Sequence, residues 1–247
     1  MLIKKILLIG SIPYPNRPNT FGGTTILMKN LLDYLSKSKI SFYFISANRM
    51  GFKYSFIINY LVVFFKSIFL IPLSKMIMVN CSRNGAFYLY PLVFLVSKLL
   101  NKKIIFRMFG GNFIDLFEQS NFFKKNILLF CLRYTDIICV ETKYIINYLN
   151  KILIKKDNFF WLPNVRNKAD ERESKIFSKK FAFISHIKET KGVDNIIEAA
   201  SLLPSDYKFD FFGFIYDKKY KNGYINKHKN CNYMGSIEHD KVLDILN

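Results

Sequence analysis

Lys191-Gly192 is the dipeptide of this chain with the plainest capacity for chemistry. Residues 181–184 are apolar enough for a buried strand, and Ser185 to Thr190 make a polar turn. Val193, Ile196, Ile197, Ala200 and Leu203 then recur at the spacing of a helix packed by one face. The first turn of a helix carries unpaired N–H groups and partial positive charge, so a lysine added there costs about 0.3–1 kcal/mol. An anion held between the ammonium and the amides reverses that cost. Gly192 lets a phosphate come close to the backbone. The competing reading is a solvated surface lysine, in a chain with 37 Lys and Arg.

Two more glycine loops stand at comparable places. Gly22-Gly23 closes a stretch rich in Pro and Asn and precedes Ile26, Leu27, Leu31, Leu32 and Leu35, a helical stripe. Gly110-Gly111 follows residues 104–108, which suit a strand. Ligands of open parallel sheets bind beyond the carboxyl ends of the strands, where loops and helix starts collect, and loops of this kind suit a pyrophosphate. Other chemistries lack their residues. Neither G-x-G-x-x-G nor G-x-x-x-x-G-K-[ST] occurs, and there is no G-x-S-x-G elbow. No Asp-x-Asp pair is present to hold a divalent metal. His186, His228 and His239 have no metal-ligand spacing, and surface or satisfied roles are the ordinary reading of the last two. Cys81, Cys131, Cys139 and Cys231 form no C-x-x-C and read as reduced core residues of a cytosolic protein.

The elements that must position these loops alternate. Strands are expected at Lys5–Gly10, 41–46, 76–80, 104–108, 136–140 and 159–162, with helices at 26–35, Ser55–Leu70, 86–100, 122–134 and 142–149. That order with short links predicts a parallel, doubly wound α/β sheet. Pro163-Asn164 ends the series, and the charged, aperiodic stretch 166–180 is the expected linker between a domain at 1–165 and a second at 181–247. The second repeats the scheme, with strands 181–184, 209–212 and 233–235 and helices 192–203 and 239–246, and reads as part of a domain. The chain of 247 residues is 51 % hydrophobic, ample for a core, and carries a net charge of +19. Of that charge, +16 falls on residues 1–165, with 22 basic and 6 acidic side chains, which points to an anionic partner of the first domain. Residues 1–10 have too short an apolar run for a signal peptide and read as the first strand. Residues 55–73 are long enough to span a membrane, but Lys66 near the centre and Pro72 favour a buried or interfacial helix.

Four stretches, in order, resemble the family 4 glycosyltransferases of the GT-B fold. They are Gly22-Gly23, Asp136-Ile-Ile-Cys-Val-Glu-Thr142, Leu162-Pro-Asn-Val165 and Phe183-Ile-Ser-His-Ile-Lys-Glu-Thr-Lys-Gly192. Phe211-Phe-Gly213 and Tyr233-Met-Gly235 resemble the strand-glycine elements that follow. The resemblance implies two Rossmann-like doubly wound domains, the second incomplete here, and transfer of a sugar from a nucleotide-sugar to a saccharide acceptor with retention and without metal or other cofactor. Lys191 and Gly192, His186, Gly22 and Gly23 match positions that contact the donor diphosphate. His186 stands where most members have arginine, and a neutral imidazole supports a leaving phosphate less well than a fixed guanidinium. Phe109 replaces a histidine common in the family, and Arg107, Gly110, Gly111 and Asn112 fall on the acceptor side. An exposed strand-end charge is the alternative for Arg107.

The family's Glu-x7-Glu element is not found before Asn247; Glu238 and Asp240 begin the last expected helix and do not replace it. The catalytic residues are therefore unassigned. The expectation divides between a truncated relative with little activity, or an interaction subunit, and an enzyme completed by another chain. The basic, aromatic first domain fits a lipid-linked acceptor at the inner face of a cell membrane in surface polysaccharide assembly, with Lys66, Lys98, Lys102, Lys103, Lys124 and Lys125 as candidates for anionic lipid, or as plain solvated charges. A nucleic-acid-binding module would explain the charge, but no motif of that class accompanies it, so no nucleic-acid partner is expected.

Overall fold

Short apolar runs that need both faces covered are what build the larger sheet. In the computed structural model β1 (Lys5–Gly10), β2 (Phe42–Ser46), β3 (Ser74–Cys81), β4 (Lys103–Met108), β5 (Ile137–Val140) and β6 (Phe159–Trp161) form one sheet. Its order is β2-β1-β3-β4-β5-β6, and every pairing is parallel. The structure describes residues 5–14, 20, 22–48, 55–81, 84–110, 112–153, 157–164, 178–237, 241–242 and 245. The linker stretch 166–177, Gly111, Glu238, Asp240 and most of the expected helix 239–246 lie outside them.

The connections are α1 (Gly23–Lys37), α2 (Ser55–Leu70), α3 (Tyr90–Leu99), α4 (Phe113–Glu118), α5 (Phe122–Arg133) and α6 (Lys143–Ile152). Only the first connection runs toward the β2 edge; the rest run the other way. Right-handed crossovers then put α1 on one face and the remainder on the opposite face. The packing agrees. Leu8 is buried with Met28 and Leu35 of α1, whereas Leu7, Ile9, Ile77, Val79, Ile104, Phe106, Ile138 and Val140 share a core with Val63, Val93, Leu128 and Leu149 from the other helices.

Local chemistry sets the element ends. Thr142 caps α6 by accepting from Ile145 N–H at 3.3 Å, and Asn121 caps α5 by accepting from Lys124 N–H at 3.0 Å. One continuous helix is expected over 86–100, but the chain makes a π-helical turn at Gly85–Leu89 before α3. Pro91 has no N–H to continue the regular ladder, so the hydrogen-bond pattern changes there. The short helix α4 has no counterpart in the sequence expectation.

A smaller parallel sheet, β7 (Lys180–Ile184), β8 (Lys208–Phe212) and β9 (Cys231–Gly235), follows in that order with α7 (Val193–Ser201) packed on it. Its core joins Ile187, Val193, Ile197, Ala200, Phe209, Phe211, Tyr220, Ile225 and Cys231. Asn230 Nδ2 donates to the carbonyls of Ala200, Leu203 and Pro204, satisfying groups left open where α7 ends. By internal contacts the chain divides into two compact units, Met1–Pro13 with Gly23–Arg166, and Tyr14–Gly22 with Asn167–Asn247.

Candidate functional site

In the second unit the loops after β7 and β8 are zipped together. Ser185 N–H donates to Phe212 O at 3.1 Å, Ile187 N–H to Phe214 O at 2.9 Å, and Tyr216 N–H to Ile187 O at 2.9 Å. Gly213 lies inside this zipper with φ +149°, where a Cβ would stand 1.8 Å from Ser185 O. Its N–H donates to Gly235 O at 2.9 Å and its carbonyl accepts from Tyr233 Oη at 2.8 Å. Glycine is required there by space and by conformation together. The consequence is a half-buried His186 held on a loop anchored on both sides. Its Nε2 comes within 3.8 Å of the place a side chain on Gly22 would occupy, and its ring centre is 6.1 Å from that of Tyr216. Gly22 and His186, far apart in sequence, are thus neighbours. Gly23 begins α1, exposed, with open space around it.

Lys191 is not in the first turn of the helix. It ends a 3-10 turn at Glu189–Lys191, and α7 begins two residues later, at Val193. The amide of Lys191 donates to Lys188 O at 3.0 Å and that of Gly192 to Glu189 O at 2.9 Å, so both are used within the turn. Gly192 takes the left-handed conformation, φ +74°, that lets the chain leave the turn and enter the helix. Ile196 N–H bonds Gly192 O, and the amides of Val193, Asp194 and Asn195 at the helix start have no backbone partner among the described residues. The Lys191 side chain is exposed and makes no ion pair among the described residues. What Lys191 offers an anion is its side-chain charge, beside rather than within the amide cradle.

The turn is braced by groups that sequence reasoning did not single out. Asp217 accepts from Glu189 N–H at 2.8 Å. Lys219 Nζ lies 2.7 Å from Asp194 Oδ2 and 3.4 Å from Glu189 Oε1, and Tyr220 Oη donates to Asp194 Oδ2 at 2.9 Å. The Lys219 hydrogen bond, joined by that of Tyr220, holds the Asp194 carboxyl below the usual carboxylate range, while partial burial acts against them. In return Asp194 raises Lys219 above an ordinary lysine. No sequence signal joins residues 25 apart in this way; an acidic residue in a first helical turn is ordinary.

At the carboxyl end of the first unit's sheet, Arg107 is 5 % exposed, so the exposed strand-end reading fails. Its guanidinium carbon sits 4.5 Å from the Phe109 ring centre, and its cross-strand neighbours are Asn80 and Cys139. Burial lowers its pKa from the ordinary arginine value, with the Cys139 and Glu141 side chains acting against that change. Arg107 Nε has no hydrogen-bond partner among the described residues, nor has Asn80 Oδ1, although Asn80 Nδ2 donates to Ile9 O at 3.3 Å. Glu141, the residue before the α6 cap, accepts from Gly110 N–H at 3.2 Å and so sets the loop after β4. Asn112 is exposed and stands just before α4. Asp136 is structural: its Oδ2 accepts from Lys98 Nζ at 2.7 Å and Ile104 N–H at 2.8 Å, at the opposite end of β5. Among the described residues no cluster of His, Cys, Asp and Glu could hold a metal ion.

No family model matches the sequence, and no curated protein matches it. Solved structures do match in fold. OtsA superposes with a TM-score of 0.60 at 11 % identity, over 97 % of this chain and 75 % of that one. HepE of Anabaena, solved with UDP, gives 0.59 at 10 % identity over 94 % and 69 %. The UDP-GlcNAc 2-epimerase of Methanocaldococcus jannaschii gives 0.51 at 12 % identity over 98 % and 76 %. The architecture they share with this chain is GT-B: two Rossmann-like units, each built on a parallel sheet.

Proposed function

We propose that this chain binds a nucleotide-sugar and serves glycosyl transfer, with the second unit holding the donor diphosphate. The observation that carries the reading is the loop after β7, where obligate Gly213 fixes His186 beside Gly22 and a braced turn presents Lys191 next to the open amides of α7. A diphosphate oxygen accepting from those amides, with the Lys191 ammonium opposite, gains charge-assisted hydrogen bonds. The same contacts strengthen as negative charge grows on the departing diphosphate, which is how such a site accelerates transfer. His186, beside Gly22, is placed to donate one more hydrogen bond when protonated or in the suitable tautomer. HepE and the Arabidopsis UGT89C1 were solved with UDP and with UDP-L-rhamnose, and their fold supports the choice of ligand class.

On the acceptor side, Asn80 and Arg107 face each other across β3 and β4, and their Oδ1 and Nε are a buried acceptor and a buried donor without a partner among the described residues, groups suited to a sugar hydroxyl. Retention of configuration, independence of metal and cofactor, and a lipid-linked saccharide acceptor at a membrane surface belong to this proposal; the lack of an Asp-x-Asp pair supports metal independence, and the basic first unit supports an acceptor at a membrane surface. Among the described residues no helix is long and apolar enough to cross a membrane. The test is calorimetric titration of the purified chain with UDP and UDP-sugars, followed by transfer assays. Lys191→Ala is expected to weaken UDP binding by roughly 10- to 100-fold, the worth of a charged hydrogen bond. Unchanged affinity in that variant, or no UDP binding at millimolar concentration, rejects the reading.

A further inference from the structure

The outer face of the first unit's helical layer is apolar where a water-exposed layer is ordinarily polar. α2 packs against α3, and α3 against α5, which the edge-on contact of Phe94 with Phe130, ring centres 6.3 Å apart, ties together. Each helix sends a mainly apolar stripe inward, with Asn59, Ser67 and Ser97 buried in it, yet each also carries large apolar side chains outward. On α2 these are Ile58, Leu61, Phe65 and Phe69, the last 75 % exposed. On α3 Leu95 and Leu99 are exposed, and on α5 Phe122, Phe123 and Phe130. The three helices contain Lys66, Lys98, Lys124, Lys125 and Arg133 and not one aspartate or glutamate. Lys98 and Lys125 are paired with Asp136 and Glu118 from outside the three helices, which leaves Lys66, Lys124 and Arg133 as charge without a carboxylate among the described residues.

We infer that this three-helix face docks on an anionic lipid bilayer, lying in the interface plane. Apolar side chains flanked by cations with no anion select an acidic, apolar partner, and a bilayer with anionic headgroups is that combination. The geometry also sets the mode. α2, at 16 residues, is about 24 Å long by the helical rise, short of the roughly 30 Å hydrocarbon core, so it lies along the surface and does not cross. Lys124 Nζ, 5.0 Å from the Tyr88 ring centre, pairs a cation with an aromatic side chain, a combination suited to the headgroup level. The inference gives a surface to the lipid-linked acceptor of the proposed reaction and rests on that reading for its purpose; the observations behind it stand apart from the donor site.

The experiment is co-sedimentation of the purified chain with vesicles of phosphatidylcholine alone and of phosphatidylcholine mixed equally with phosphatidylglycerol. Binding is expected on the mixed vesicles and not on the neutral ones, falling as salt rises. The triple variant Lys66→Gln, Lys124→Gln, Arg133→Gln should lose on the order of a hundredfold in partitioning, about fivefold for each charge. Phe65→Ser, Phe69→Ser and Leu95→Ser together should lose at least about tenfold from the apolar contribution. These residues are exposed, and circular dichroism of each variant checks that it folds as the parent does. Equal binding to both vesicle types, or binding untouched by both triple variants, overturns the inference. So does a homodimer that the serine variant dissolves while vesicles go unbound, which would assign the face to a second copy. Vesicle binding without UDP binding keeps this inference and removes the proposed function; the converse separates them in the other direction.

Discussion

At the residue scale, Asp194 shows how a local rule and a distant partner combine. A carboxylate in the first turn of α7 is favoured by the helix dipole, and Lys219 and Tyr220 both hydrogen-bond it. With its folded pKa depressed, this carboxylate contributes stability that is fully present above its unfolded value near 3.8 and is lost as pH falls through the lower folded value. Both side chains are more than a third exposed and screened by solvent, so the contribution is small. Asp194→Asn should therefore lower the urea midpoint slightly at neutral pH, and the gap from the parent should narrow at an acid pH well below 3.8. Urea titrations at the two pH values read this; a gap of constant size means the carboxylate does not carry the effect. Arg107 is the opposite case, a charge whose burial alone depresses its pKa and whose Nε has no partner among the described residues. Such a group is costly unless something binds it, which is why it is assigned to substrate and not to stability.

At the scale of elements, the donor-side loops depend on close approach of backbone to backbone. A methyl on Gly213 would overlap Ser185 O, a main-chain atom that cannot move without breaking the β7–β8 ladder, and the positive φ adds strain. Gly213→Ala should cost about 3 kcal/mol or more and unfold the smaller sheet or leave it susceptible to limited proteolysis. Gly23 is the control, because a methyl there meets nothing within 4 Å. At the first position of α1, Gly23→Ala should be neutral or mildly stabilising by thermal melt. Parity between the two variants would mean that the zipper of β7 and β8 loops tolerates displacement. The π-helical turn before α3 belongs to the same scale: Pro91 removes a donor, and the ladder rearranges around it.

For the whole molecule, charge and fold point to different ligands at different places. The +16 on residues 1–165 invites a nucleic-acid reading, yet the three helices, which carry five of the 22 basic residues there, interleave their cations with exposed phenylalanine and leucine. Phosphate-backbone binding is steeply salt-dependent. Retention on a DNA column should vanish by about 0.2 M salt, whereas a nucleic-acid protein making many phosphate contacts and a specific site stays bound. Persistent, sequence-selective retention would count against the glycosyl-transfer proposal.

Much of this architecture was legible without coordinates. Lys5–Gly10 and Ser55–Leu70 begin and end where the apolar runs do, and the alternation of runs with helical stripes implied parallel sheets, because period and length are properties of short neighbouring stretches. The glycine loops and the lysine after β7 were also visible as residue types. Only the tertiary structure decided that Lys191 stands ahead of its helix, that Arg107 is buried, that Lys219 reaches Asp194 and that Gly22 neighbours His186. Each of those depends on which distant segments meet when the strands pair. Turn geometry and burial arise from those meetings, and a local pattern carries no information about them.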